Sequence, residues 1–208
     1  MSRLGRGFPN NALLRIPPSV APQVDANAHF SGLVSSGSWT HTIGSNANAI
    51  FVFINPASAS VTLTCKIGAT SMTQIANTAA CWAWVLYNPP TGSQTVSFTV
   101  SASTPVSAIS VSLVNAGPIG TVATTTGTGL ALSQSASPPM AKGTVLQSFG
   151  VTGGASTITA YNQTQIDYVV GVGSRNDPII VGYGNGSFTA TSGANFAWTG
   201  VAVSLAPI

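Results

Sequence analysis

The chain has 208 residues, of which 4% are charged: six Lys or Arg, three Asp and no Glu. That length supports one well-buried domain or two small ones, and so few acids and histidines argue against chemistry that gathers several titratable groups in one cleft. The longest uninterrupted apolar stretch, residues 79–87, has nine residues, well short of the roughly 18 that cross a bilayer as a helix, so no transmembrane segment is expected. Arg3, Arg6 and Arg15 hold three of the six cations, while Lys66, Lys142 and Arg175 are matched by Asp25, Asp167 and Asp177. The body is therefore neutral and no Lys/Arg patch suggests nucleic acid. Ser, Thr, Asn, Gln and Gly stand in for charge, and such a surface has little electrostatic defence against association.

Residues 1–28 carry glycines at 5 and 7 and prolines at 9, 17, 18 and 22, so neither a long helix nor a central strand is expected there. They read as an extended N-terminal arm. Phe8, Leu13, Leu14 and Ile16 have no core of their own within it; with Arg3, Arg6 and Arg15 they are expected to dock on another subunit or partner, the alternative being that the arm packs back on its own body. Residues 1–20 lack a continuous apolar core of seven, so no secretory signal is expected.

From His29 the strands begin. Residues 38–43 alternate, 49–54 form a continuous buried run, and Val61, Leu63, Cys65 and Ile67 alternate against Thr62, Thr64 and Lys66. Residues 81–87 and 95–101, separated by Asn88-Pro89-Pro90-Thr91-Gly92, read as a hairpin. Ile109, Val111 and Leu113 close the first half against Ser110 and Ser112. Residues 115–143, rich in Gly, Thr, Ser and Pro, read as a crossover with one strand near 130–135. The second half echoes the first: Thr164-Gln165-Ile166 repeats Thr73-Gln74-Ile75, and the strand at 198–205 repeats the one near 107–114. The expected fold is an all-β, antiparallel, jelly-roll-like β-sandwich, one domain over 29–208 built from halves 29–116 and 144–208, because a lone half would leave one sheet face uncovered.

The chemistry is sparse. Catalysis by paired carboxylates would need two acids in one cleft, a zinc site three or four ligands at motif spacing, and an acyl-transfer site a Gly-x-Ser-x-Gly elbow; none is present in the sequence. No cofactor or metal is expected. Asn176-Asp177-Pro178 with Asp167 could offer oxygen ligands to calcium, but a loop-initiating Asx turn is the better reading. His41 reads as a packing histidine on a strand face. Trp82 and Trp84 share one face of a doubly apolar strand and read as core, leaving Trp39 as the candidate for stacking a sugar ring. Cys65 and Cys81 read as buried thiols, with a disulfide open as the alternative.

Gly5-Arg6-Gly7-Phe8-Pro9-Asn10, Ser38-Trp39-Thr40-His41-Thr42, residues 86–96 (LYNPPTGSQTV), Tyr161-Asn162-Gln163-Thr164-Gln165 and residues 198–203 (WTGVAV) together resemble the minor tail proteins of phages that infect mycobacteria and related actinobacteria. The resemblance implies a non-enzymatic virion component present in several copies, made in the host cytoplasm and assembled with other tail or capsid proteins, the tail being favoured. A displayed sandwich would then be free to touch a host-envelope glycan. A capsid decoration protein and a free carbohydrate-binding module are the alternatives. The family carries no catalytic residues to transfer.

Overall fold

A computed structural model describes residues 19–154, 157–172 and 177–208. Its regular elements are thirteen strands: β1 (Gln23–Ile43), β2 (Ala47–Pro56), β3 (Leu63–Ile67), β4 (Thr70–Ser71), β5 (Thr73–Asn77), β6 (Trp82–Tyr87), β7 (Gly92–Val114), β8 (Ile119–Ala136), β9 (Thr144–Thr152), β10 (Ile158–Thr159), β11 (Thr164–Val169), β12 (Ile179–Gly184) and β13 (Gly186–Leu205). The first seven form one sheet, ordered β4-β3-β7-β2-β6-β5 with β1 on β7. The last six form a second, ordered β10-β13-β9-β12-β11 with β8 on β13. All ladders are antiparallel. The all-β sandwich expected from the sequence is what forms.

The two sheets are built alike. β1, β2, β3, β5, β6 and β7 occupy the places that β8, β9, β10, β11, β12 and β13 occupy in the second sheet. Even the irregularities correspond: the β1/β7 ladder breaks between Val34/Ser36 and Thr104/Thr99, the β8/β13 ladder between Gly129/Ala131 and Phe196/Thr191. Thr73-Gln74-Ile75 and Thr164-Gln165-Ile166 open β5 and β11, and each is followed by a bulge, between Gln74/Ala76 and Gln165/Asp167.

The long strands cannot stay straight. Twenty-one residues of β1 would extend about 70 Å, more than a domain of this size spans, so the ladder folds over at its break. Gly44 N–H, just past the end of β1, donates to Asp25 Oδ2 near its start at 2.8 Å. Each half thus becomes a lobe with an inner wing and an outer wing folded over it. In lobe A, Ile50, Val52, Ile54, Trp82 and Trp84 of the inner wing meet Leu63, Cys65, Ile67, Val96 and Phe98 of the outer one. In lobe B, Val145, Phe149, Ile180 and Trp198 meet Leu132, Ile158 and Phe188. The other faces of the inner wings press together in a third core, the seam: Phe51, Phe53, Cys81, Ile109, Val111 and Leu113 from lobe A against Leu146, Ile179, Val181, Val201, Val203 and Leu205 from lobe B.

Four expectations change. Each sheet comes from one contiguous half, so strands do not alternate between sheets as in a jelly roll. β6 and β7 are not a hairpin, because β2 lies between them and takes ladder bonds from both; a strand apolar on both faces needs neighbours on both edges. Strand pairing starts at Gln23, so residues 23–28, read as arm, lie on β7. The strand read near 130–135 within a crossover is the end of a longer one, β8, which starts at Ile119 and is the counterpart of β1; with one face largely in water it has little apolar signal.

The lobes clasp at matching places. Ser107 Oγ donates to the Asp177 carbonyl at 2.7 Å, and its ladder equivalent Thr199 accepts Ala80 N–H at 3.1 Å. Asn55 Nδ2 donates to the Val151 and Pro178 carbonyls at 2.9 and 3.0 Å. Its equivalent in lobe B is Gly150, where a Cβ would run into the Ala80 carbonyl and meet the Asn55 amide carbon at 3.3 Å. Gly150→Ala should therefore lower stability by about 1–3 kcal/mol, measured as a lower denaturant midpoint at unchanged slope; an unaltered midpoint would mean that the lobes do not approach this closely.

Candidate functional site

A buried polar cluster lies inside lobe A. Trp39 and His41 project from the outer part of β1 towards Ser110 and Ser112 of β7, two residues apart on each strand. Trp39 Nε1 lies 2.9 Å from Ser110 Oγ, Ser110 Oγ 2.7 Å from His41 Nδ1, His41 Nε2 3.0 Å from Ser112 Oγ, and Ser112 Oγ 2.7 Å from Asp25 Oδ2. One assignment of protons satisfies the whole chain: indole N–H to Ser110, Ser110 O–H to Nδ1, Nε2–H to Ser112, Ser112 O–H to the Asp25 carboxylate. The imidazole is neutral in that arrangement. Burial lowers the His41 pKa, and the nearby Asp25 charge opposes the shift.

Serine, histidine and aspartate here do not form a nucleophilic triad. The carboxylate holds a serine instead of the imidazole, and His41, Ser110 and Ser112 are 0% exposed, so no substrate reaches them. What the relay does is mechanical: it ties residues 25 and 41, the two ends of a folded strand, to one stretch of β7. The sequence reading of His41 as a packing residue fits this placement. Ser110 and Ser112 were read only as the face opposite Ile109, Val111 and Leu113; the signal that could have found their role is the matched i, i+2 spacing of polar heads on the two strands. Lobe B fills the equivalent space differently. Gln134, at the ladder position of Trp39, accepts from Gln147 Nε2 at 3.2 Å, and Tyr161 O–H donates to Gln147 Oε1 at 2.8 Å. Burial raises the Tyr161 pKa.

The other candidates are placed as follows. Trp39, expected as a sugar platform, is part-buried, its N–H spent on Ser110 and its ring flanked by Phe30 and Phe98 at centroid distances of 6.0 and 6.1 Å. Trp82 and Trp84 are buried and stacked at 5.9 Å. Cys65 and Cys81 are free thiols in different cores, against Met72 Sδ at 3.5 Å and Ser148 Oγ at 3.3 Å, and burial pushes each up to about 12. Asp177 Oδ1 takes Gly153 N–H at 2.9 Å. Asp167 Oδ2 is 3.0 Å from both Asn27 Nδ2 and His29 Nδ1 across the seam, so the two aspartates weighed as calcium ligands serve separate contacts, and Asn176 lies outside the described residues. Among the described residues no three His, Cys, Asp or Glu side chains converge to hold a metal, and no helix is long and apolar enough to cross a membrane. Arg3, Arg6, Phe8, Leu13, Leu14 and Arg15 lie outside the described residues.

The surface has a direction. At one end Val20 pairs with Ile208 through bonds of 2.6 and 3.3 Å, Lys142 Nζ donates to the Ser19 carbonyl at 3.2 Å, and the turn joining the lobes is held by Gly117 N–H on the Ala206 carbonyl at 2.9 Å. This is the root, where Val20 lies beside Ile208. Both inner wings run from it in the same sense, as the clasps at corresponding depths require, so both folds lie at the opposite end, the tip. Leu33 and Leu130, 60% and 53% exposed, mark the two folds. Beside the lobe A fold is an open cavity of about 520 Å³ with Phe30, Val34 and Phe98 in its floor and Ser36, Ser38, Ser97 and Thr99 around it.

His41 sets an acid limit on stability. Its pKa is lowered in the folded state, so below about 6.5 the unfolded chain binds a proton that the folded chain refuses, and stability falls with pH until the folded value is reached. The denaturant midpoint should drop from pH 7.5 to pH 5, and His41→Gln should flatten that drop. An equally steep fall in the variant would remove His41 as its cause. No family model, curated protein or solved structure matches this chain.

Proposed function

We propose that the chain is a non-enzymatic structural component of an actinobacteriophage virion, a minor tail protein held through its N-terminal arm with the two-lobed body displayed. The observation that carries this reading is the direction of the molecule. Val20 and Ile208 pair at the root, so the body is joined to the arm at that end, while both folds face the other. A chain anchored at its root would present Leu33, Leu130 and the cavity beside Phe30 outwards, and that end would meet the host envelope. The sequence resemblance, which includes the arm itself, supports the same arrangement, and a neutral surface suits a protein that works in a fixed assembly.

Two measurements test this. An immunoblot of purified particles should detect the chain, and its absence would sink the virion reading. A version lacking residues 1–18 keeps every described contact of the body, including Val20 with Ile208, so it should unfold at the same denaturant midpoint yet be missing from particles. Incorporation at the full level would overturn the role given to the arm.

A further inference from the structure

We propose that Asn185 is a self-modification site, at which the side-chain amide closes onto the backbone nitrogen of Gly186 and is converted to aspartate and isoaspartate. This does not depend on whether the chain belongs to a virion. The Gly186 nitrogen adds to Cγ of Asn185, and ammonia leaves carrying the proton of that nitrogen, which gives a succinimide. Water then breaks either bond to the ring nitrogen. Loss of the Cγ bond leaves aspartate; loss of the main-chain bond leaves isoaspartate, whose chain runs through Cβ and Cγ. Water is the only co-reactant. The ring closes readily where the following residue has no Cβ to obstruct it, which only glycine offers, and Asn185-Gly186 is the single Asn-Gly pair of the sequence.

The fold leaves this pair open. Asn185 is exposed and alone forms the connection between β12 and β13, and a Cβ placed on Gly186 would meet nothing within 4 Å. Among the described residues no hydrogen bond holds the Asn185 amide. Other asparagines are held or blocked. Asn55 is buried and donates to two carbonyls, while Asn48 and Asn162 each commit both side-chain polar atoms to backbone groups. Asn88 opens the equivalent connection in lobe A, but the nitrogen that follows it belongs to Pro89 and has no hydrogen to lose. Only lobe B can therefore change in this way. The change falls on a tight clamp: Gln163 Oε1 fills the place of a Gly184 Cβ, and Gln163 Nε2 and Asn162 Nδ2 donate to the Ser187 carbonyl at 2.7 and 3.1 Å. Gly184 is fixed on Val145 and Gly186 on Ala136, so an added methylene between them no longer fits and the start of β13 opens. Val145 also pairs with Ser204, which puts the new carboxylate beside the root, in a stretch, residues 178–208, with no charged side chain.

Peptide mapping of the purified full-length chain, aged in mildly alkaline buffer, tests this. Acid should accumulate at Asn185 as two products of equal mass, isoaspartate in excess, and several-fold faster than at Asn46, Asn162 or Asn195. The aged chain should unfold at a lower denaturant midpoint than the fresh one. Asn185→Gln, whose longer side chain closes a ring far more slowly, should show neither change after the same treatment. An Asn185 that lasts as long as Asn162 overturns the proposal. So does one that converts only when the chain is unfolded in denaturant, because the fold would then protect it. A converted chain whose midpoint equals that of aged Asn185→Gln overturns the part given to the clamp.

Discussion

Everything in this fold depends on the need of two sheets to cover each other. The inner-wing strands are apolar on both faces. In β2, Ile50, Val52 and Ile54 enter the core of lobe A while Phe51 and Phe53 enter the seam. Folding the sheet over buries the first set, but the second can be covered only by another sheet. Each phenyl ring contributes about 1.5–3 kcal/mol when removed from water, which a lone lobe would forfeit along the whole face. Two lobes in one chain resolve this at low entropic cost, since the connection between Val114 and Ile119 is four residues and loop closure is correspondingly cheap.

The repeat is broken where the packing requires it. On a local two-fold axis, equivalent positions face each other, so a large residue would meet its own copy. Lobe A places Phe51, Phe53 and Asn55 along β2, whereas lobe B has Leu146, Ser148 and Gly150 at the ladder equivalents on β9. Large faces small, which lets the two surfaces interlock. Polar groups diverge in the same way. Both lobes must satisfy buried polar atoms beneath the folded strand; one does it with Trp39, His41 and two serines ending on Asp25, the other with Gln134, Gln147 and Tyr161. The shared constraint is that polar groups in a low-dielectric space gain most from being hydrogen-bonded; the residues that meet it differ, and one indole N–H in each lobe core, of Trp82 and of Trp198, goes without a partner.

These facts explain which parts could be read from the residues. The doubly apolar runs of β2 and β6, the burial of Trp82, Trp84, Cys65 and Cys81, and the Thr-Gln-Ile echo were legible because each is a local pattern of apolar or repeated residues. Ladder partners were not. Residues 81–101 look like a hairpin because proximity in sequence is all that a sequence displays, yet β2 is the better neighbour for both strands. Alternation misled at Ser110 and Ser112, since it marks two faces without saying that both are covered. Only the end of β8 was legible, near residues 130–135, for the opposite reason: in the rest, threonines and glycines face water or the edge of the lobe, and nothing apolar enough repeats to announce a strand.

A surface with 4% charge stays dispersed only if its hydrogen-bonding groups are occupied or well hydrated. Over most of the body they are, because ladders, clasps and side-chain relays take up the backbone. Among the described residues the exceptions include the outer edges of β1 and β8, each paired on one side only, and the buried indole N–H groups of Trp82 and Trp198. Three of the six cations lie in residues 1–18, so the charge of the sequence is concentrated on the segment proposed to anchor the chain. Attachment would then be steered by charge at that end, while the nearly neutral body exerts little long-range force of its own.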